Sequence, residues 1–250
     1  MKWSSIKNIM VWFLIFMNLF MLAIIAATSL KKAYIPENVI KASLAVIRQS
    51  GFEITDDIFP QKYYTRPTYK AQFYSASDLS ELFFEKQIAF RTEGDSLVGT
   101  QGRAELIVND NFFSYNSGYS AEESVSPKEI EKALKKTGFD MQGAVFDEKT
   151  GYFYRMYNGS NLFNMSLEAK LDSDGEICYV KAHWPKTLTE GEKRKLAFIE
   201  SSAKLKSAFP SGGKIENIEL GYSLHSLGGD TFLFSPAWRV NVNGEPKIVE

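Results

Sequence analysis

Residues Ile9 to Ala27, IMVWFLIFMNLFMLAIIAA, constrain this chain more than any other stretch: nineteen residues carry no charge and one strongly polar side chain, Asn18. As a helix rising about 1.5 Å per residue they cover roughly 28 Å, close to the hydrocarbon thickness of a bilayer. The expectation is a transmembrane anchor over residues 9–30, behind a short cytoplasmic tail of residues 1–8 that holds Lys2 and Lys7. A cleaved signal peptide is the competing reading, since Lys2 and Lys7 form a basic n-region and Ala23, Ala26 and Ala27 are small. Against it, the apolar run exceeds the usual h-region of about 7 to 15 residues, and the nearest small-x-small site opens on Ile25. A buried soluble helix fits less well, because such a stretch would leave an exposed aromatic patch.

Lys31 and Lys32 follow the stretch closely, so the charge bias across it is small. The bulk of the chain lies after it and is placed outside the cell; an external N-terminus stays open. The chain carries 29 Lys and Arg against 30 Asp and Glu, and setting Lys2 and Lys7 aside makes the body more acidic. A nucleic-acid footprint would need a clustered basic surface, and none is visible. Cys178, the one cysteine, sits among Ile177, Tyr179 and Val180 and reads as a buried strand thiol.

Beyond the anchor, Pro36 to Ser50 predicts an amphipathic helix with Ile40, Leu44 and Ile47 on one face and Gly51 as its stop. Glu53 to Tyr74 predicts one or two strands, with Pro60 and Pro67 pointing to a sheet edge. A short helix over Ser77 to Lys86 follows, then a hairpin around Asn109-Asp110-Asn111. Ser126, Pro127 and Glu129 form a capping box with proline at the first helical position, Leu134 is in the buried stripe and Gly138 ends the helix. Tyr152 to Tyr157, Leu162 to Leu171 and Glu176 to Trp184 make a three-stranded meander. Thr189 and Glu192 predict another capped helix, running towards Phe209. Ile215 to Ser223, Thr231 to Phe234 and Ala237 to Val242 read as strands, closed by an Asn243-Gly244 turn.

PENVIKA at Pro36 and PKEIEKA at Pro127, followed by GFEI and GFDM, echo one another. The fold class is therefore α+β: an N-terminal transmembrane helix, then an extracytoplasmic body of repeated helix plus antiparallel-sheet modules, residues 31–120 and 121–250. Ordinary helix starts and stops would give the same echo.

Chemistry is sparse. His183 and His225 have no ligand-spaced neighbours, so no metal is expected. Ser201-Ser202-Ala203-Lys204 fits S-x-x-K, and Lys136-Thr137-Gly138 and Lys149-Thr150-Gly151 fit K-T-G. Their order along the chain is the reverse of that in acyl-transfer enzymes. Asp172-Ser173-Asp174-Gly175 reads as a turn, since His183 stands where a calcium loop needs Glu. No enzyme, cofactor or metal is expected. Asn18 in hydrocarbon calls for a hydrogen-bonding neighbour, and Ala23 and Ala27 form a small-x-x-x-small face about 140° around the helix from it. These three are the expected partner contacts within the membrane; tolerated filler is the plainer account.

The opening WSSIKNIMVWFLIFMNLFMLAI, with Trp3, Lys7 and Asn18-Leu19, resembles the start of the YycI (WalI) family. GYSLHS at Gly221 and SPAWRVNVNG at Ser235 resemble its C-terminal strands, with Pro236, Trp238 and Arg239 the distinctive positions. The middle agrees in layout more than in letters. The resemblance implies a single-pass cell-membrane protein of Gram-positive bacteria, without catalytic residues, that modulates a WalK-like sensor histidine kinase of the cell-wall two-component system. It also implies a YycH-like sister protein as partner. The alternative is an anchored or secreted binding or inhibitor domain for a cell-envelope ligand.

Overall fold

The computed structural model describes residues 10–24, 34–122, 125–228 and 231–250. The apolar stretch is helical over 10–24 (α1), and every residue of it is exposed. Among the described residues no helix is long and apolar enough to cross a membrane. Fifteen residues give about 22 Å, short of the roughly 30 Å of hydrocarbon, so the spanning helix expected from sequence is not supported there. The rest of the expected anchor lies outside the described residues.

From Tyr34 the order is α2 (Glu37–Gln49), β1 (Phe52–Glu53), β2 (Tyr64–Phe73), α3 (Ala76–Phe84), β3 (Phe90–Glu93), β4 (Ser96–Gln101), β5 (Ala104–Asn109) and β6 (Phe112–Asn116). Then come α4 (Pro127–Lys136), β7 (Ala144–Asp147), β8 (Tyr152–Tyr157), β9 (Ser160–Leu171), β10 (Ile177–Ala182) and β11 (Pro185–Leu196). The chain finishes with α5 (Phe198–Ser202), α6 (Leu205–Ala208), β12 (Gly213–Ser226), β13 (Phe232–Val242) and β14 (Glu245–Val249). This is a mixed α+β fold with much sheet and few helices. Among the pairings described, β1 with β12 and β12 with β9 run parallel.

Two compact units share the chain. The first is drawn from Met1–Thr65, Lys195–Ile218 and Val240–Val249, the second from Arg66–Arg194, Glu219–Arg239 and Glu250. In the first, α2 buries Leu44 and Ile47, and Phe59 meets Phe198 of α5 edge-on at 5.6 Å. Arg48, in the last turn of α2, pairs with Asp56 and donates to the Ile54 carbonyl, which fastens the chain after the helix.

Most of the sheet path β11-β2-β13-β12-β9-β10-β6-β5-β4-β3 falls in the second unit, with β8 and β7 beyond β9. One core there buries Leu79 of α3, Leu134 of α4, Leu106, Phe113, Tyr115, Phe139 and Trp184. Both helix starts are capping boxes, Ser75 with Asp78 and Ser126 with Glu129, so orphan N–H groups are satisfied where the sequence changes from loop to apolar stripe. Tight turns at Asn158-Gly159 and Asn243-Gly244 take φ values of 47° and 72°, and 52° and 81°, as the hairpin geometry requires.

Two sequence expectations fail here. The stretch after Thr189 is strand until Leu196, because Glu190 to Lys195 offers no apolar stripe for a helix to bury, and the helix expected towards Phe209 is found only as α5 and α6. Instead Thr68 Oγ1 donates to the Glu192 carbonyl and Thr187 Oγ1 to Gln72, and Gly191 lets the strands close: a Cβ there would lie 2.7 Å from Thr68 Oγ1. β2 is interior, between β11 and β13, although it contains Pro67. Its ladder with β13 runs only over Tyr69 to Ala71, so the missing N–H falls outside it.

Candidate functional site

Of the residues expected at partner contacts, Asn18 and Ala23 lie on α1 and are exposed, and Ala27 lies outside the described residues. Asn18 Nδ2 donates to the Leu14 carbonyl at 3.0 Å, one turn back. That bond satisfies part of the carboxamide within its own helix and lowers the cost of an apolar setting; the Oδ1 acceptor remains for a neighbour.

Pro236, Trp238 and Arg239 fall in β13. Trp238 is buried. Arg239 pairs with Glu219 at 2.5 Å and lies over the Phe163 ring at 4.8 Å. Pro236 sits beyond the Phe232–Phe234 ladder with β2, so its missing donor takes nothing from that ladder. Arg239 thus has a bracing role within the second unit.

The histidines and motif serines have local structural roles. Burial, set against a hydrogen bond with the Asn111 backbone, lowers the His183 pKa, and Phe112 lies 4.9 Å from its ring. His225 lies 3.1 Å from the Glu250 carboxylate. Burial pushes the Cys178 thiol up, and its Sγ contacts the Lys170 carbonyl, so it is not an activated thiolate. Ser201 is buried in α5. Thr137 caps α4 through the Leu134 carbonyl, and Lys149-Thr150-Gly151 turns between β7 and β8. Among the described residues no cluster of three or more His, Cys, Asp or Glu could hold a metal ion.

Three arrangements escape the sequence reading. In the second unit Arg155 is 4% exposed, pairs with Asp140 at 2.7 Å, donates to the Pro185 carbonyl and lies 5.2 Å over Trp184. The Asp140 backbone closes the same knot, receiving Trp184 Nε1–H on its carbonyl and donating its N–H to the Tyr74 hydroxyl. Nearby, Tyr69, Tyr157 and Tyr222 pack edge to face, and burial, then Tyr69, pushes the Tyr222 hydroxyl pKa up. Both read as cross-braces of the sheet.

The third arrangement is a groove in the first unit of about 570 Å³, between one face of α2 and the α5–α6 segment. Val39, Ala42 and Val46 line one side, Ile199 and Ala203 the other, and Phe52 contributes at one end. That volume is in the range of small-ligand sites. Its signal in the sequence is a second apolar stripe on α2, Val39, Ala42 and Val46, beside the core stripe of Leu44 and Ile47.

No family model matches the chain, and no curated protein matches it. Among solved structures it is similar to an uncharacterized protein from Eubacterium rectale ATCC 33656. The two share 13% identity over 77% of this chain and 84% of that one, with a TM-score of 0.39, a likeness too distant to bear on function.

Proposed function

We propose that the chain is a membrane-tethered, non-enzymatic accessory regulator of a cell-wall sensor histidine kinase of the WalK kind. It crosses the cell membrane once, N-terminus inside, with the chain after the anchor outside, and it works through helix contacts in the bilayer and contact with a YycH-like sister protein. The carrying observation is α1: a helix apolar on every side yet exposed along all its described length. Such a helix is stable in lipid or against another protein rather than in water. Its one polar side chain, Asn18, is half-satisfied and offers an acceptor to a neighbouring helix. The resemblance of both chain ends to the YycI family supports the choice of partner. A coupling of about 1 to 3 kcal/mol between kinase states is enough to change signalling several-fold.

The test is co-purification with the kinase from membranes. Asn18→Leu lowers the kinase recovered; unchanged recovery removes Asn18 from the contact. Mature chains that start beyond Ala27 and circulate in the medium would overturn the tethered reading altogether. The groove beside α2 favours a second reading, a binding domain for a cell-envelope ligand, which predicts activity without the anchor.

A further inference from the structure

From the chemistry of its lining, we infer that the groove between α2 and the α5–α6 segment binds the free carboxylate form of a long-chain fatty acid. The lining runs along α2 from Asn38 to Ser50, about 18 Å at 1.5 Å per residue, and the volume of about 570 Å³ is of the size of one acyl chain rather than two. Three serines line it, yet none turns its proton towards it: Ser43 donates to the Val39 carbonyl, Ser50 to Val46 and Ser202 to Ile199. With those hydroxyls committed to their own helices, the lining between Asn38 and Lys206 presents mainly hydrocarbon to an occupant.

Its one cation is Lys206. The ammonium sits at the C-terminal end of α2, with Nζ 3.7 Å from where a Cβ on Gly51 would be. The basic residues of α2 itself are matched, Lys41 with Glu37 at 2.7 Å and Arg48 with Asp56 at 2.6 Å. Among the described residues Lys206 has neither an ion pair nor a side-chain hydrogen bond. An apolar groove ending in one unmatched ammonium complements one hydrocarbon chain ending in one negative charge. Two acyl chains and a phosphodiester head exceed a groove of that volume with one cation, which selects the free acid over a phospholipid. The inference rests on the membrane reading only for supply of the ligand, which partitions from a bilayer; binding is measured on the chain whatever the kinase experiment returns.

The experiment uses the full chain in phosphatidylcholine nanodiscs, with oleate as probe and native mass spectrometry counting bound oleate after release from the disc. One oleate per chain is expected, held about tenfold tighter than the uncharged oleyl alcohol. Lys206→Glu and Ala203→Phe, both at exposed positions, weaken retention about tenfold or more by reversing the charge and filling the groove, and Lys206→Arg preserves it. Thermal melts check that each variant folds, and Ala42→Leu fills the opposite wall should Ala203→Phe not. Equal retention of oleate and oleyl alcohol, indifference to both filling variants, preferential capture of phosphatidylglycerol, or a cross-link placing residues 25–33 in the groove each overturns the inference.

Discussion

Asp140→Asn isolates the charge on Arg155 while leaving the surrounding shape in place. The substitution keeps an oxygen for the turn in which Asp140 Oδ1 accepts from the Gln142 N–H, and it leaves the backbone bonds to Tyr74 and Trp184 intact. What it removes is the counter-charge of a guanidinium that is 4% exposed. Losing one partner of a fully buried pair costs about 3 to 5 kcal/mol. The Asp140 side chain is 38% exposed, so solvent screening cuts the figure to about 2 kcal/mol. Arg155→Met removes the charge itself and the Nε, a buried donor without a partner, and it forfeits the bond to the Pro185 carbonyl. Those effects oppose one another, and the net cost is about 1 kcal/mol or less. Urea titration of the full chain, followed by tryptophan fluorescence, measures both. With an m-value of roughly 2 kcal/mol/M, Asp140→Asn lowers the midpoint by about 1 M and Arg155→Met by half that or less. In the double variant the penalty of Asp140→Asn disappears, because no buried cation remains to need the carboxylate. If Arg155→Met costs as much as Asp140→Asn, or the double variant is additive, the guanidinium is acting by packing and the electrostatic account is refuted.

Leu134→Ala, which empties the buried contact of α4 on the sheet, costs about 2 to 5 kcal/mol by the same titration; a loss below about 1 kcal/mol would mean that the site collapses around the smaller residue. Gly143 has φ +75°, and a Cβ there would collide with the Met156 carbonyl, so Gly143→Ala costs more than about 2 kcal/mol and lowers the thermal midpoint. Burial raises the Asp78 pKa, but Lys186 at 2.7 Å and the Ser75 N–H and hydroxyl outweigh it, and the net shift is downward. A carboxyl depressed on folding adds stability above its unfolded value and loses it as pH falls through the folded one. Urea midpoints measured from about pH 5 to pH 2 therefore fall less steeply in Lys186→Ala than in the native chain.

Elements whose signals are local and mutually consistent are legible from the residues alone. Ser126, Pro127 and Glu129 determine a helix start within four positions, and Asn158-Gly159 determines a turn within two, so neither needs the rest of the chain. Tyr152 to Trp184 alternates clearly enough to place three strands. The same grammar misleads at Thr189 and Glu192, where a capping box precedes a stretch with nothing apolar to bury; pairing with β2 decides it, and that partner lies more than a hundred residues away. Arg155 is hidden because a cation in a strand reads as solvent-facing by default. Its parity is the clue: it shares a face with buried Phe153, which puts a charge on the core side and demands an acid nearby. The groove is hard to see because one stripe on α2 already explains the helix, so the neighbouring Val39, Ala42 and Val46 raise no question of their own.

One flank of β11 has consequences for life at high protein concentration. β11 stands at an end of the sheet path, twelve residues long, with one row of amides and carbonyls open to any passing strand. Unprotected rims of this kind seed fibrils. Here the exposed Glu190, Glu192, Lys193, Arg194 and Lys195 crowd that rim with hydrated charge, so a second strand would have to strip water from several ions before its first amide could pair. The polarity that keeps this segment from becoming a helix also guards it against becoming a template.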